Sequence, residues 1–136
     1  MKKLTAQWVR KAESDYAVAK ILARRKDPHH DEVSFHSQQT AEKYLKALLE
    51  ELGQPVPHTH ILEDLVALLL PYHPELSSLR MGARLLTRFA VDTRYPGKNA
   101  TKRQATSALR WTTKFRAAAR TLLNITTRRA RKKKPP

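Results

Sequence analysis

The sequence predicts an all-α protein, an antiparallel bundle of about five helices. Three observations lead there. Apolar residues recur at helical spacing in five separate stretches. No stretch alternates polar and apolar residues as a half-buried strand does, and no hairpin signal occurs. The connections are short and marked by proline or glycine, which suits antiparallel neighbours. A chain of 136 residues suits one core. The expected domain covers residues 1–126, followed by a basic tail, 127–136, whose composition argues for disorder.

The first helix is expected over residues 4–25. Trp8, Ala12, Ala19 and Leu22 share a stripe, and Asp15 falls in the middle of it. A carboxylate on a packed stripe must be paired. Asp15 therefore either fixes helix register against a core-lining cation or reaches a cation of a ligand site. Pro28 ends this helix.

The second helix starts near Asp31 to Ser34, both good caps, and ends at Gly53 as a left-handed stop. Phe35, Ala41, Leu45, Leu48, Leu49 and Leu52 form its apolar side, with Tyr44 at the margin. His36, Gln39, Lys43, Lys46 and Glu50 form a polar stripe roughly opposite. Such a stripe either faces water or lines a pocket with an imidazole, an amide and two amines.

A third helix is expected over Ile61 to Leu70, with Thr59 near its start. His58 and His60 have a metal-like spacing but lack a third and fourth ligand, so neither a metal nor another cofactor is expected. A fourth helix runs from Pro74 to Val91 with Leu76, Leu79, Ala83, Leu86 and Ala90 inward, and Arg80, Arg84 and Arg88 along a solvated edge. Pro96-Gly97 makes a turn. Thr101 caps the fifth helix, 101–126, whose core side is rich in alanine and whose other side aligns Arg103, Arg110 and Lys114.

Composition narrows the function classes. The absence of cysteine excludes disulfides, thiolate nucleophiles and cysteine-ligated zinc. The longest uncharged apolar run, Leu65 to Leu70, is too short to span a bilayer, so no membrane association is expected. No signal-peptide core follows the first lysines, and a cytoplasmic location is expected by default. The net charge is +15. Residues 1–92 hold 13 Lys/Arg against 12 Asp/Glu, whereas residues 93–136 hold 14 Lys/Arg and no acid. This asymmetry points to a polyanionic partner, nucleic acid first.

Three stretches carry a family resemblance: Trp8, Lys11-Ala12 and Asp15 on the first helix, FHSQQTAEKYLKALL on the second, and DTRYPG before the last. With His60-Ile61-Leu62 between them, the chain resembles the HEPN domain family (higher eukaryotes and prokaryotes nucleotide-binding), in its prokaryotic stand-alone type, over roughly residues 4–123. The resemblance implies a helical bundle that commonly dimerises. It also implies a minimal nucleotidyltransferase encoded alongside, the two forming a toxin–antitoxin-like pair. Many relatives are metal-independent ribonucleases with an Arg, four to six residues, then a His. Arg94 best matches that Arg, but Asn99, Ala100 and Thr101 occupy the matching His positions, and no His follows His73.

RNA cleavage without a metal needs a group that titrates near neutrality, which asparagine does not supply. The sequence therefore reads as a non-enzymatic nucleotide- or nucleic-acid-binding module, homodimeric and partnered by a nucleotidyltransferase. Phosphate contacts are expected from Arg94, Lys98, Arg103, Arg110 and Lys114. Tyr95 would stack on a base, and His36, Gln39 and Lys43 would hold a nucleotide edge or phosphate. Two rivals stand beside this reading: a ribonuclease with His36 and Arg94 as its catalytic candidates, and a pure protein-interaction subunit.

Overall fold

The second helix is the one around which the others pack. In the computed structural model, which describes residues 1–125, α1 spans Lys3–Ala23, α2 His30–Glu51, α3 Leu62–Leu69, α4 Arg80–Asp92 and α5 Lys102–Leu122. Helix α2 touches all four other helices, most extensively α1 and then α5. No strand occurs among the described residues, and the all-α antiparallel bundle is as expected. None of the described helices is long and apolar enough to cross a membrane. The boundary at 126 and the tail 127–136 lie outside the described residues.

The core follows the anticipated stripes on α1 and α5. Ala12 and Ala19 of α1 are buried, as are Ala105, Ala108, Thr112, Phe115 and Ala119 of α5. Small residues on both helices let their backbones approach α2 closely. Gly53 stops α2 with φ +72, and Gln54 N–H closes the end by donating to the Leu49 carbonyl at 3.0 Å.

Several expectations are corrected. Phe35 is not part of the packed side of α2 but 42% exposed, its ring edge-on to His36 at 5.2 Å. Tyr44, placed at the margin, is fully buried, and Lys46, placed on a polar stripe, is buried too. Both follow from α2 being surrounded, so that its "outer" stripe meets α1. Helix α2 begins at His30, and Ser34 lies buried inside it instead of capping it. The third helix starts at Leu62, because Thr59 Oγ1 accepts from Ile61 N–H (3.1 Å) too early to cap it. The stretch from Pro74 divides into a 3₁₀ turn, Pro74–Leu79, and α4. Ser77-Ser78 has low helix propensity, and Ser78 Oγ donates to the Glu75 carbonyl at 3.2 Å. Helix α5 ends at Leu122 and not 126, because Asn124 adopts φ +58 and Ile125 N–H reaches back to the Arg120 carbonyl at 2.9 Å.

Candidate nucleic-acid interface

Helix α5 is anchored from within and charged on its outside. Thr112 Oγ1 donates to the Ser37 carbonyl at 2.6 Å, which fixes the register of α5 against α2. Its start is a complete capping box: Gln104 N–H donates to Thr101 Oγ1 at 3.0 Å, and Thr101 N–H donates to Gln104 Oε1 at 2.9 Å. Ala100 N–H donates to Asp31 Oδ1 at 2.6 Å, tying the preceding turn to the start of α2. Residues 94–99 are exposed ahead of these anchors, so Arg94, Tyr95 and Lys98 all stand in solvent.

On the outer side of α5, Lys102, Arg103 and Arg110 line a shallow groove of about 560 Å³ together with the hydroxyl residues Thr106 and Ser107. Among the described residues no carboxylate forms an ion pair with these three cations or with Arg94 and Lys98. Uncompensated cations beside hydroxyl donors are what phosphate oxygens require. Lys102, Thr106 and Ser107 were missed from the sequence; their signal was their place between and beside Arg103 and Arg110 on one helix. Lys114 differs from its neighbours, since its ammonium lies 4.8 Å from the centre of the Trp111 ring.

The candidates on α2 occupy a different place, against α1. Asp15 Oδ1 accepts from His36 Nδ1 at 2.8 Å, and Asp15 Oδ2 pairs with Lys43 Nζ. The Asp15 carboxylate is only 12% exposed, so both partners cross-link α1 to α2 through it. Asp15 thus joins α1 to α2 by pairing with His36 and Lys43. Gln39 Nε2 donates to Gln38 Oε1 at 2.7 Å and to Glu42 Oε1 at 3.3 Å.

Two further polar networks escaped the sequence reading. Glu42 accepts from Lys46 Nζ (3.0 Å), His60 Nδ1 (3.0 Å) and Gln38 Nε2 (3.2 Å). His60 is thereby committed to Glu42, and Gln38 also holds its carbonyl at 2.9 Å. Burial raises the Glu42 pKa, but the bonds from Lys46, His60 and Gln38 outweigh it and leave the group below its ordinary value. Glu13 accepts from Arg116 Nε (2.6 Å) and Nη2 (2.9 Å) and from the Tyr44 hydroxyl. Burial, then Glu13, pushes the Tyr44 phenol up to about 12.

The described residues form an all-α bundle with a polar, largely buried central helix and a basic last helix, and comparison identifies the family. The family model described as HEPN domain matches residues 5–122. The chain belongs to the HEPN domain family. Among solved structures, TT1696 from Thermus thermophilus aligns with a TM-score of 0.76 at 26% identity, covering 88% of this chain and 98% of the other. An archaeal HEPN homologue, ST0689, aligns with a TM-score of 0.72 at 23% identity, covering 90% and 98%. The second supports the fold alone. No curated protein matches the chain.

Proposed function

We propose that this HEPN domain is a non-enzymatic module that binds the phosphates of a nucleotide or nucleic acid across the first half of α5. One observation carries the reading: Lys102, Arg103 and Arg110 share a groove with Thr106 and Ser107, without an acidic partner among the described residues. Arg94, Tyr95 and Lys98 extend the surface along the preceding turn, and Lys114 flanks its far end beside Trp111. His36, Gln39 and Lys43 form a secondary contact region, already oriented by Asp15 and Glu42. The rest of the reading is a homodimer associated with a minimal nucleotidyltransferase in a toxin–antitoxin-like pair, as the family resemblance suggests, with a cytoplasmic location by default. Sedimentation of the purified chain and co-purification with the neighbouring gene's product test those two parts.

The phosphate contacts are tested by titrating a labelled single-stranded RNA at two ionic strengths. Three released counterions give a slope of about −2 in log K against log salt. Arg103→Glu with Arg110→Glu abolishes most of that dependence, in the full chain and in a chain ending at residue 126. Affinity indifferent to salt, or unchanged by the double substitution, refutes the reading.

One observation favours a second reading, a ribonuclease. Asp15 holds His36 Nδ1 at 2.8 Å, the arrangement by which a carboxylate orients an imidazole. Cleavage of labelled RNA that is lost in both His36→Ala and Arg94→Ala supports it. Intact RNA, or cleavage that persists in both variants, removes it.

A further inference from the structure

A second concavity, of about 440 Å³, opens between the end of α1, the α1–α2 connection and α5. Its chemistry differs from that of the basic groove. Leu22, Val33, Ala105 and Leu109 give it an apolar lining, while Lys26 enters from the connection and Lys102 from α5. Arg25 and His29 also line it, but Asp27 engages both, at 2.9 Å and 3.0 Å. Lys26 and Lys102 form no ion pair among the described residues. The two concavities meet, since Lys102 and Thr106 line both.

This juxtaposition restricts the guest. A phosphate alone gains nothing from an apolar recess. A purely apolar guest leaves two ammonium groups unanswered. A nucleotide unit presents a flat, weakly solvated base beside a phosphate, and both volumes fall within the range of about 300–1,000 Å³ usual for small-molecule sites. In a duplex the base edges and faces are paired and stacked, so only an unpaired base can enter such a recess.

We propose that the recess takes an unpaired nucleobase whose flanking phosphates lie over Lys102, Arg103 and Arg110, so that the domain selects single strands over duplex. The proposal rests on the phosphate reading of the groove and adds the base. The experiment compares three labelled ligands on the full chain: a twelve-nucleotide RNA, a strand of the same length with every base replaced by an abasic spacer, and the RNA annealed to its complement. The base-bearing single strand should bind about tenfold or more tightly than either of the others, as removal of base contacts predicts. A 4-thiouridine version of the strand, irradiated and mapped by mass spectrometry, should cross-link to the α1–α2 connection or the first half of α5. Equal affinity for the base-bearing and abasic strands overturns the proposal while leaving the phosphate reading standing. Equal affinity for duplex, or cross-links confined to other surfaces, overturns it too. If no ligand binds at low salt, the phosphate reading falls with it.

Discussion

Replacing Glu42 by glutamine removes one charge and almost no volume. The carboxylate is 4% exposed and its partner, the Lys46 ammonium group, 7% exposed. Lys46 also lies 5.7 Å from the Trp8 ring centre, wedged between α2 and α1. Glu42→Gln therefore strands a buried cation, a change that costs about 3–5 kcal/mol when one partner of a buried pair is lost. The amide keeps one acceptor oxygen, and His60 can turn to solvent, so the lower end, about 3 kcal/mol, is expected. That is a large share of the roughly 5–15 kcal/mol that holds a domain folded. Urea unfolding followed by circular dichroism should show a midpoint lower by about 1.5–2 M at an m of roughly 1.5–2 kcal/mol/M. Adding Lys46→Met removes the stranded cation, and the double variant should recover much of the loss. Acid adds a second signature. Because the folded Glu42 titrates below 4.5, its contribution is present above the unfolded value and disappears as pH falls through the lower folded one. Stability of the parent should thus drop more steeply below pH 4.5 than that of Glu42→Gln. A loss under about 1 kcal/mol, or a double variant less stable than the single, refutes the account of this network.

Three other expectations follow from the packing. A Cβ at Gly82 would lie 2.2 Å from Trp111 Cε3, so Gly82→Ala should lose about 1 kcal/mol or more by overpacking despite alanine's better helix propensity; unchanged thermal unfolding refutes it. Asp31→Ala removes the acceptor for Ala100 N–H and should cost about 1–2 kcal/mol, with faster amide exchange at Ala100; unaltered exchange shows that the turn is held otherwise. Tyr44→Phe should cost about 1–2 kcal/mol and remove the one tyrosine that titrates near 12 in an ultraviolet pH titration; a parent with every tyrosine titrating near 10 contradicts the burial of that phenol.

The helices themselves were readable from the chain because periodicity reports which way a residue points. Ala12 and Ala19, or Ala105 through Ala119, point inward from helices with one buried side, and there the wheel suffices. It fails on α2, which packs against all four other helices and is open to solvent only in part, as at Phe35. A wheel assigns Lys46 and Gln39 to the outside only if an outside exists. The pairing of Asp15 was anticipated in kind, since a carboxylate on a packed stripe demands a cation, but not in identity: nothing in either helix says that residue 15 meets residues 36 and 43. Contacts between residues 13 and 116, or 31 and 100, are likewise set by tertiary approach. Of the candidate interface, the charge could be read and the hollow could not. Arg103 and Arg110 are visible as a basic repeat, while the recess beside Leu22 and Val33 exists only once α1 and α5 are brought together.

The placement of charge along α5 separates scaffold from surface. The helix carries six cations and no acid. Toward its end, Arg116 forms two hydrogen bonds with Glu13 of α1 and Arg120 approaches the same carboxylate at 3.9 Å. Lys114 rests on Trp111. Arg116 and Arg120 are thus answered by a carboxylate inside the fold, and Lys114, which is exposed, by an aromatic ring alone. The first three, Lys102, Arg103 and Arg110, have no such partner among the described residues, although a single acid on the exposed side of α5 would have supplied one. Repulsion among unpaired surface cations is a modest cost to folding and is screened by salt. It becomes an asset when an anion arrives, because each cation then exchanges a mobile counterion for a fixed phosphate. The same helix is therefore neutralised where it holds α1 and left charged where it meets solvent. An engineered Ser107→Glu, placed in the groove and away from the core, should weaken RNA binding through charge alone while leaving the stability within about 0.5 kcal/mol of the parent. Equal binding by that variant would mean that the anion sits on some other surface.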